Sequence, residues 1–198
     1  MRFRPALTTL AATAALLATA AGPAQAETQV RADPGGDVAF TNPSASPGPL
    51  ADTVDILALQ GAHRTNALVF RFTVADLAAS QRFDALTAEV RIRTLGGREY
   101  AAVMTAESGR PQVFLNDGTT GGVDCDGLAG RIVLDRDQLV VTVPRSCVRN
   151  PRSVRFGGAT SSFGDDGGGQ TDVHDDARRD GGSGGVPIRL GTRELRRA

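Results

Sequence analysis

The sequence predicts an all-β fold: an antiparallel β-sandwich of jelly-roll-like outline, with about nine strands and one disulfide. Three observations lead there. Apolar residues recur at every second position in run after run, as half-buried strands require; the clearest run sets Leu68, Phe70, Phe72 and Val74 against Val69, Arg71 and Thr73. Clusters of Gly, Pro, Asn and Asp punctuate these runs at regular spacing. No stretch carries a helical period of useful length.

Glu27 to Leu50 is poor in apolar residues. Within it, Asp33-Pro34-Gly35-Gly36-Asp37 reads as a turn into a short strand, Val38 to Phe40, and Asn42 to Pro49 as an irregular crossing loop. Thr53 to Ala62 reads as a strand, with Val54, Ile56 and Ala58 opposite Asp55, Leu57 and Leu59. His63 to Asn66 then turns the chain into the strand Ala67 to Val74, forming a hairpin. Ala75 to Ser80 fits one helical turn. Leu86 to Thr94 and Glu99 to Ala106 alternate on either side of Gly96-Gly97, and Pro111 to Leu115 is a short strand before the turn Asn116-Asp117-Gly118.

Val123 to Phe156 holds both cysteines, Cys125 and Cys147. Ile132 and Leu134 alternate with Arg131, Val133 and Asp135; Leu139, Val141 and Val143 alternate with Val140 and Thr142. The polar tetrad Asp135 to Gln138 makes the pair a hairpin. Pro144, which lacks an N–H for the ladder, ends its second strand. Val154 and Phe156 resume the alternation in a closing strand to about Ala159. The expected core is Leu68, Phe70, Phe72, Val90, Ile92, Leu139 and Val141.

The N-terminus reads as a secretory signal peptide over 1–26. Arg2 and Arg4 precede an apolar run from Ala6 to Ala21, and Ala24-Gln25-Ala26 is a small-x-small cleavage site. The expected localisation is therefore secreted, outside the cell. No later stretch is apolar for long enough to span a bilayer. In such a chain two cysteines are most economically a structural disulfide, Cys125–Cys147; two free thiols or an intermolecular bridge are alternatives the spacing leaves open. Closing a loop of about 20 residues stabilises by roughly 3 kcal/mol in the chain-entropy model. The expected organisation is a β-domain over 27–160 and a Gly/Asp-rich loop or linker over 161–185. The last segment, 186–198, would add an edge strand from Val186 to Leu190 and a charged tail.

The full chain balances 22 basic residues against 22 acidic ones; without Arg2 and Arg4 the count is 20 against 22, a net charge of −2. No basic stripe with interleaved aromatics is present, which argues against a nucleic-acid partner. Every basic residue is arginine, and with abundant Ala, Gly and Asp this points to a GC-rich bacterial genome.

Catalytic chemistry is not evident. There is no GxSxG elbow, and the histidines are His63, expected in a solvated turn, and His174, in the Gly/Asp run. The constellation with chemical content is acidic: Asp165, Asp166, Asp172, Asp175, Asp176 and Asp180 are strung among glycines. Calcium takes six to eight oxygens, and such a run supplies carboxylates and carbonyls together. A solvated linker explains the same composition, and no EF-hand or nonapeptide repeat is present. Asp33 and Asp37 would contribute if the ends of the chain meet in space.

The stretch Val141 to Phe156, VTVPRSCVRNPRSVRF, carries a resemblance. It resembles a group of exported bacterial β-domains in which a strand ends in a proline-arginine-x-cysteine turn. Their N-terminal half has an Asp-rich turn, an Asp-Ile strand and an Asp-Leu step, here Asp33 to Asp37, Asp55-Ile56 and Asp76-Leu77. At the level of fold, the group is similar to the jelly-roll sandwiches of the DOMON and family-nine carbohydrate-binding type. The expected function is a secreted, non-catalytic module binding a glycan, a cell-wall polymer or an extracellular protein. The rivals are a structural or interaction module without a small-molecule site, and a hydrolase with an unrecognised active site. A groove lined by Tyr100 and polar side chains favours the first, a flat apolar patch the second, and a concave pocket holding a carboxylate of raised pKa the third.

Overall fold

A computed structural model describes residues 27–41, 49–77, 83–107, 110–119, 121–165, 170–178 and 187–197. The segment 1–26, expected to be a signal peptide, lies outside them. The chain forms two antiparallel sheets. The five-stranded sheet has the order β1-β3-β4-β9-β8, built from β1 (Glu27–Ala32), β3 (Ile56–His63), β4 (Ala67–Val74), β9 (Gln138–Pro144) and β8 (Ala129–Val133). The seven-stranded sheet runs β2-β11-β10-β5-β6-β7, with β2 (Ala39–Phe40), β11 (Gln170–Asp176), β10 (Ser153–Asp165), β5 (Phe83–Thr94), β6 (Glu99–Glu107) and β7 (Arg110–Asn116); β12 (Leu195–Arg196) pairs with β10. The predicted antiparallel sandwich is present, with twelve strands among the described residues against about nine expected.

The alternations decide which side of each strand is buried. Leu68, Phe70, Phe72, Val90, Ile92, Leu139 and Val141 are all at most 1 % exposed. Two phenyl rings lock the sheets together because glycines face them. Phe72 of β4 lies over Gly158 of β10, and Phe156 of β10 lies over Gly61 of β3. Phe156 also meets Phe70 with ring centroids 5.3 Å apart. On the outer face of the five-stranded sheet, Val69, Val140 and Ala62 form a small second cluster.

The disulfide joins Cys125, before β8, to Cys147, in the 3-10 turn after β9, and so closes the hairpin; the Cα atoms are 5.6 Å apart. Beside it, Arg145 is 5 % exposed. Its guanidinium donates to the carbonyls of Thr65 at 2.7 Å, Pro151 at 3.1 Å and Asn150 at 3.3 Å, so the arginine of this turn ties the β3–β4 turn to the connection into β10.

Several expectations are corrected. Thr53 to Ala62 is not one strand: Pro49–Val54 is a short helix, α1, and the strand starts at Ile56. A bulge between Ile56 and Ala58 shifts the phase, so Leu59 is buried with Ile56 while Leu57 is 39 % exposed. His63 is fully buried rather than solvated, because β3 continues through it to pair Leu68 and Glu27. Leu134 sits in a 3-10 turn, 57 % exposed, rather than on the inner face. Ala75 to Leu77 is no helical turn; Ala75 and Asp76 donate their N–H groups to the carbonyls of Asp55 and Asp52, and the rest of that stretch lies outside the described residues. Nor is the Gly/Asp run only a loop. β10 continues to Asp165, and β11 returns along it from Gln170 to Asp176, with Val173 fully buried.

At the C-terminus, Pro187 to Leu190 forms no strand; the edge pairing falls at Leu195–Arg196, anchored by the fully buried Leu195. The helix α1 buries Leu50, Ala51 and Val54. Its last carbonyl, of Val54, accepts the Thr160 hydroxyl of β10 at 2.5 Å.

Candidate functional site: a carboxylate junction and a polar cleft

Two places collect chemistry-bearing side chains. The first is where the edges of the sheets meet. The chain leaves β1 through Asp33-Pro34-Gly35-Gly36-Asp37, and this turn carries it to the other sheet, where β2 pairs β11. Gly36 takes φ +82°, a conformation glycine adopts freely. The turn is tied to β3 twice: Asp33 donates its N–H to the Leu57 carbonyl at 3.0 Å, and Gly36 donates to Asp55 Oδ2 at 2.8 Å. From the other side, β11 alternates with Thr171, Val173 and Asp175 inward. Asp175 Oδ2 accepts the N–H of Ile56 at 2.7 Å.

These constraints converge three carboxylates. One oxygen each from Asp33, Asp37 and Asp175 lie within 4.8 Å of one another. Asp33 is 9 % exposed and Asp175 1 %. Both oxygens of Asp33, and Oδ1 of Asp175 and of Asp55, accept no hydrogen bond. Burial, then repulsion from Asp175 and Asp37, pushes the Asp33 carboxyl up to about 7, against a weaker pull from Arg31. Burial likewise pushes Asp175 up to about 7; the Ile56 N–H opposes it and Asp37 adds to it. Asp55 is raised by burial, with the Gly36 N–H opposing.

Of the residues expected from sequence to hold calcium, only Asp175 lies in this group. Asp172 is on the exposed side of β11, its carbonyl accepting from Thr41. Asp176 holds the turn after β11, accepting the N–H groups of Arg178 at 3.1 Å and Arg189 at 3.2 Å. Asp165 ends β10, its side chain outside the described residues; Asp166 and Asp180 lie outside them altogether. Asp33 and Asp37 are the residues that would join if the chain ends met, and β11 beside β2 is how they meet.

The histidines are elsewhere. His63 Nδ1 lies 3.3 Å from the Leu195 carbonyl; burial, and the nearby Arg145 and Arg197, lower its pKa. His174 is half-buried on the face of β11 opposite Asp175.

The second place is the tip of the β5–β6 hairpin, Thr94 to Arg98, closed by the bonds Thr94 N–H to Arg98 O and Gly97 N–H to Thr94 O, both 2.9 Å. Three clefts adjoin it. One of about 610 Å³ is lined by Gly96, Gly97, Arg98, Glu99, Tyr100 and the turn Asp117 to Thr119. Tyr100 is only 3 % exposed and forms its floor. A second, about 410 Å³, lies between the tip and Val148, Arg149, Pro151 and Arg152; a third, about 230 Å³, is bordered by Arg93, Ser153, Arg155 and Glu194. Arg93 pairs Glu99 at 3.5 Å, whereas Arg98, Arg149, Arg152 and Arg155 have no ion-pair partner among the described residues. Leu95, 67 % exposed, adds an apolar surface between them.

Comparison of the chain with protein-family models, with curated proteins and with solved structures gives no match.

Proposed function

We propose that the protein is an exported, non-catalytic β-sandwich module that binds a glycan or cell-wall polymer carrying acidic groups, at the Thr94–Arg98 tip. The observation that carries this reading is the set of clefts around that tip, two of them within the usual range of ligand pockets, beside the unpaired Arg98, Arg149, Arg152 and Arg155. Guanidinium groups match carboxylates and phosphates in fork geometry, and the neighbouring Glu99, Asp117 and Thr119 offer partners for hydroxyls. The hydrolase reading gains nothing from the raised carboxyls, because Asp33 and Asp175 line none of these clefts. Export agrees with the Cys125–Cys147 bond, since disulfides persist in oxidising compartments. Among the described residues no helix is long and apolar enough to cross a membrane.

The test is retention of purified protein on insoluble cell-wall polymer and on neutral and acidic polysaccharides, with salt as a variable. Binding to the acidic polymers should weaken at high salt and fall at least tenfold in Arg98→Ala/Arg149→Ala/Arg152→Ala, whose thermal melt should match the parent. Equal retention of this variant, or of neutral and acidic polymers, would remove the tip from the function.

A further inference from the structure

We propose that Asp33, Asp37 and Asp175 form a calcium site that pins the β1–β2 turn to β3 and β11 at the junction of the two sheets. It rests on elements other than the Thr94–Arg98 tip and stands or falls separately from the ligand bound there.

The oxygens already have the required spacing. Two ligands on opposite sides of a calcium ion, each at about 2.3–2.6 Å, lie roughly 4.6–5.2 Å apart; the three carboxylates have oxygens within 4.8 Å of one another.

The second observation is the burial of oxygens with nothing to bind. Asp33, 9 % exposed, has neither oxygen hydrogen-bonded, and Asp175, 1 % exposed, has Oδ1 bare while Oδ2 holds the Ile56 N–H. A buried carboxylate without a partner is costly. The nearby cations do not remove that cost. The Arg178 guanidinium lies over the Phe156 ring, 5.9 Å from its centroid, and the exposed Arg31 pulls on Asp33 less than burial and the neighbouring carboxylates push. A proton would neutralise a single carboxyl and leave like charges facing it, whereas a divalent cation answers the group at once.

The donor set selects the ion. The cluster is of carboxylates alone, which disfavours zinc and suits a hard cation. Asp33 offers two oxygens, Asp175 its Oδ1, and Asp37, half-buried at the rim, leaves room for water to complete the shell. Irregular coordination of this kind is tolerated by calcium and resisted by magnesium, which demands a near-ideal octahedron. The position explains what binding would do. Calcium would hold β1 and the β2 edge, neither of which has a buried side chain of its own, against the core.

The test uses the full chain, stripped with chelator. Isothermal calorimetry with calcium chloride should give one site per chain, and the melting temperature should rise by about 5–10 °C at a hundredfold excess over Kd. Asp33→Asn and Asp37→Asn should each lower affinity at least tenfold, while Asp172→Asn, on the exposed face of the same strand, should bind like the parent. Absence of heat and of any melting shift in the parent up to 10-millimolar-range calcium (about 10 mM, well above extracellular site affinities) overturns the proposal. So does full affinity in Asp33→Asn, or an equal response to magnesium. Should the variants fail to fold, the parent's calorimetry alone still decides.

Discussion

Gly158 of β10 is one of the glycines on which a ring of the opposite sheet rests, and its replacement by alanine tests how the sheets are locked. A Cβ there would lie 2.6 Å and 2.7 Å from Cε1 and Cζ of Phe72, and 3.1 Å from Cδ2 of Leu59. Distances below 3.0 Å require movement, and Phe72 has no room to give. It is fully buried within β4, which is paired on both sides, to β3 and β9. Overpacking of this kind costs about 1–3 kcal/mol. Alanine's better strand entropy recovers only a fraction of a kcal/mol, so Gly158→Ala should destabilise by about 1–2.5 kcal/mol in urea unfolding. The strain resides in one pair, so it should be relieved by shortening the partner. Phe72→Leu alone leaves a void, but Gly158→Ala/Phe72→Leu should be more stable than the sum of the single changes by at least 0.5 kcal/mol. Gly122→Ala is the control, with nothing within 4 Å of its Cβ, and should change stability by less than about 0.5 kcal/mol. A neutral Gly158→Ala, or strict additivity in the double variant, would refute the interlock.

Replacing both cysteines with serine should lower stability by about 2–4 kcal/mol while the far-ultraviolet β-signature remains, and mass spectrometry of the untreated protein should find no free thiol. Phe70→Ala should cost about 3–5 kcal/mol, since the ring is fully buried against Phe156, and Arg71→Ala on the opposite face should cost far less; equal losses would invalidate the register of β4. Burial holds His63 below its ordinary value of 6.5, so the unfolded chain takes up the proton first. This contribution is complete above pH 6.5 and is lost as pH falls through and below it. His63→Phe should therefore flatten the fall in stability between pH 7 and 5; an unchanged slope would assign that fall to other groups.

The sandwich was legible because its central strands obey a local rule. Where one face of a strand meets the core and the other does not, the residues must alternate, and β4, β6, β9 and the Leu86 to Thr94 part of β5 do so along most of their lengths. The cysteines flanking the β8–β9 hairpin likewise made their pairing the most economical reading, and the structure bonds them. β1, β11 and β12 escaped detection for a common reason. An edge strand such as β1 buries almost nothing, and β11 turns Thr171 and Asp175 toward the interior, so neither carries an apolar period. The phase error at Leu59 came from a single bulged residue, which leaves composition unchanged and reverses every side chain beyond it. His63 was misplaced because burial of its ring depends on Leu195, 132 positions along the chain. The carboxylate group shows the same division. Sequence supplied an Asp-rich turn and an Asp-rich C-terminal run, but their meeting depends on β2 pairing β11 across more than half the chain. Periodicity and spacing are local, so the sequence by itself determined the β-class and the core faces of the central strands, and made Cys125–Cys147 the most economical pairing. The junction of Asp33, Asp37 and Asp175 and the clefts around the Thr94–Arg98 tip join residues distant in sequence, and tertiary packing alone decided them.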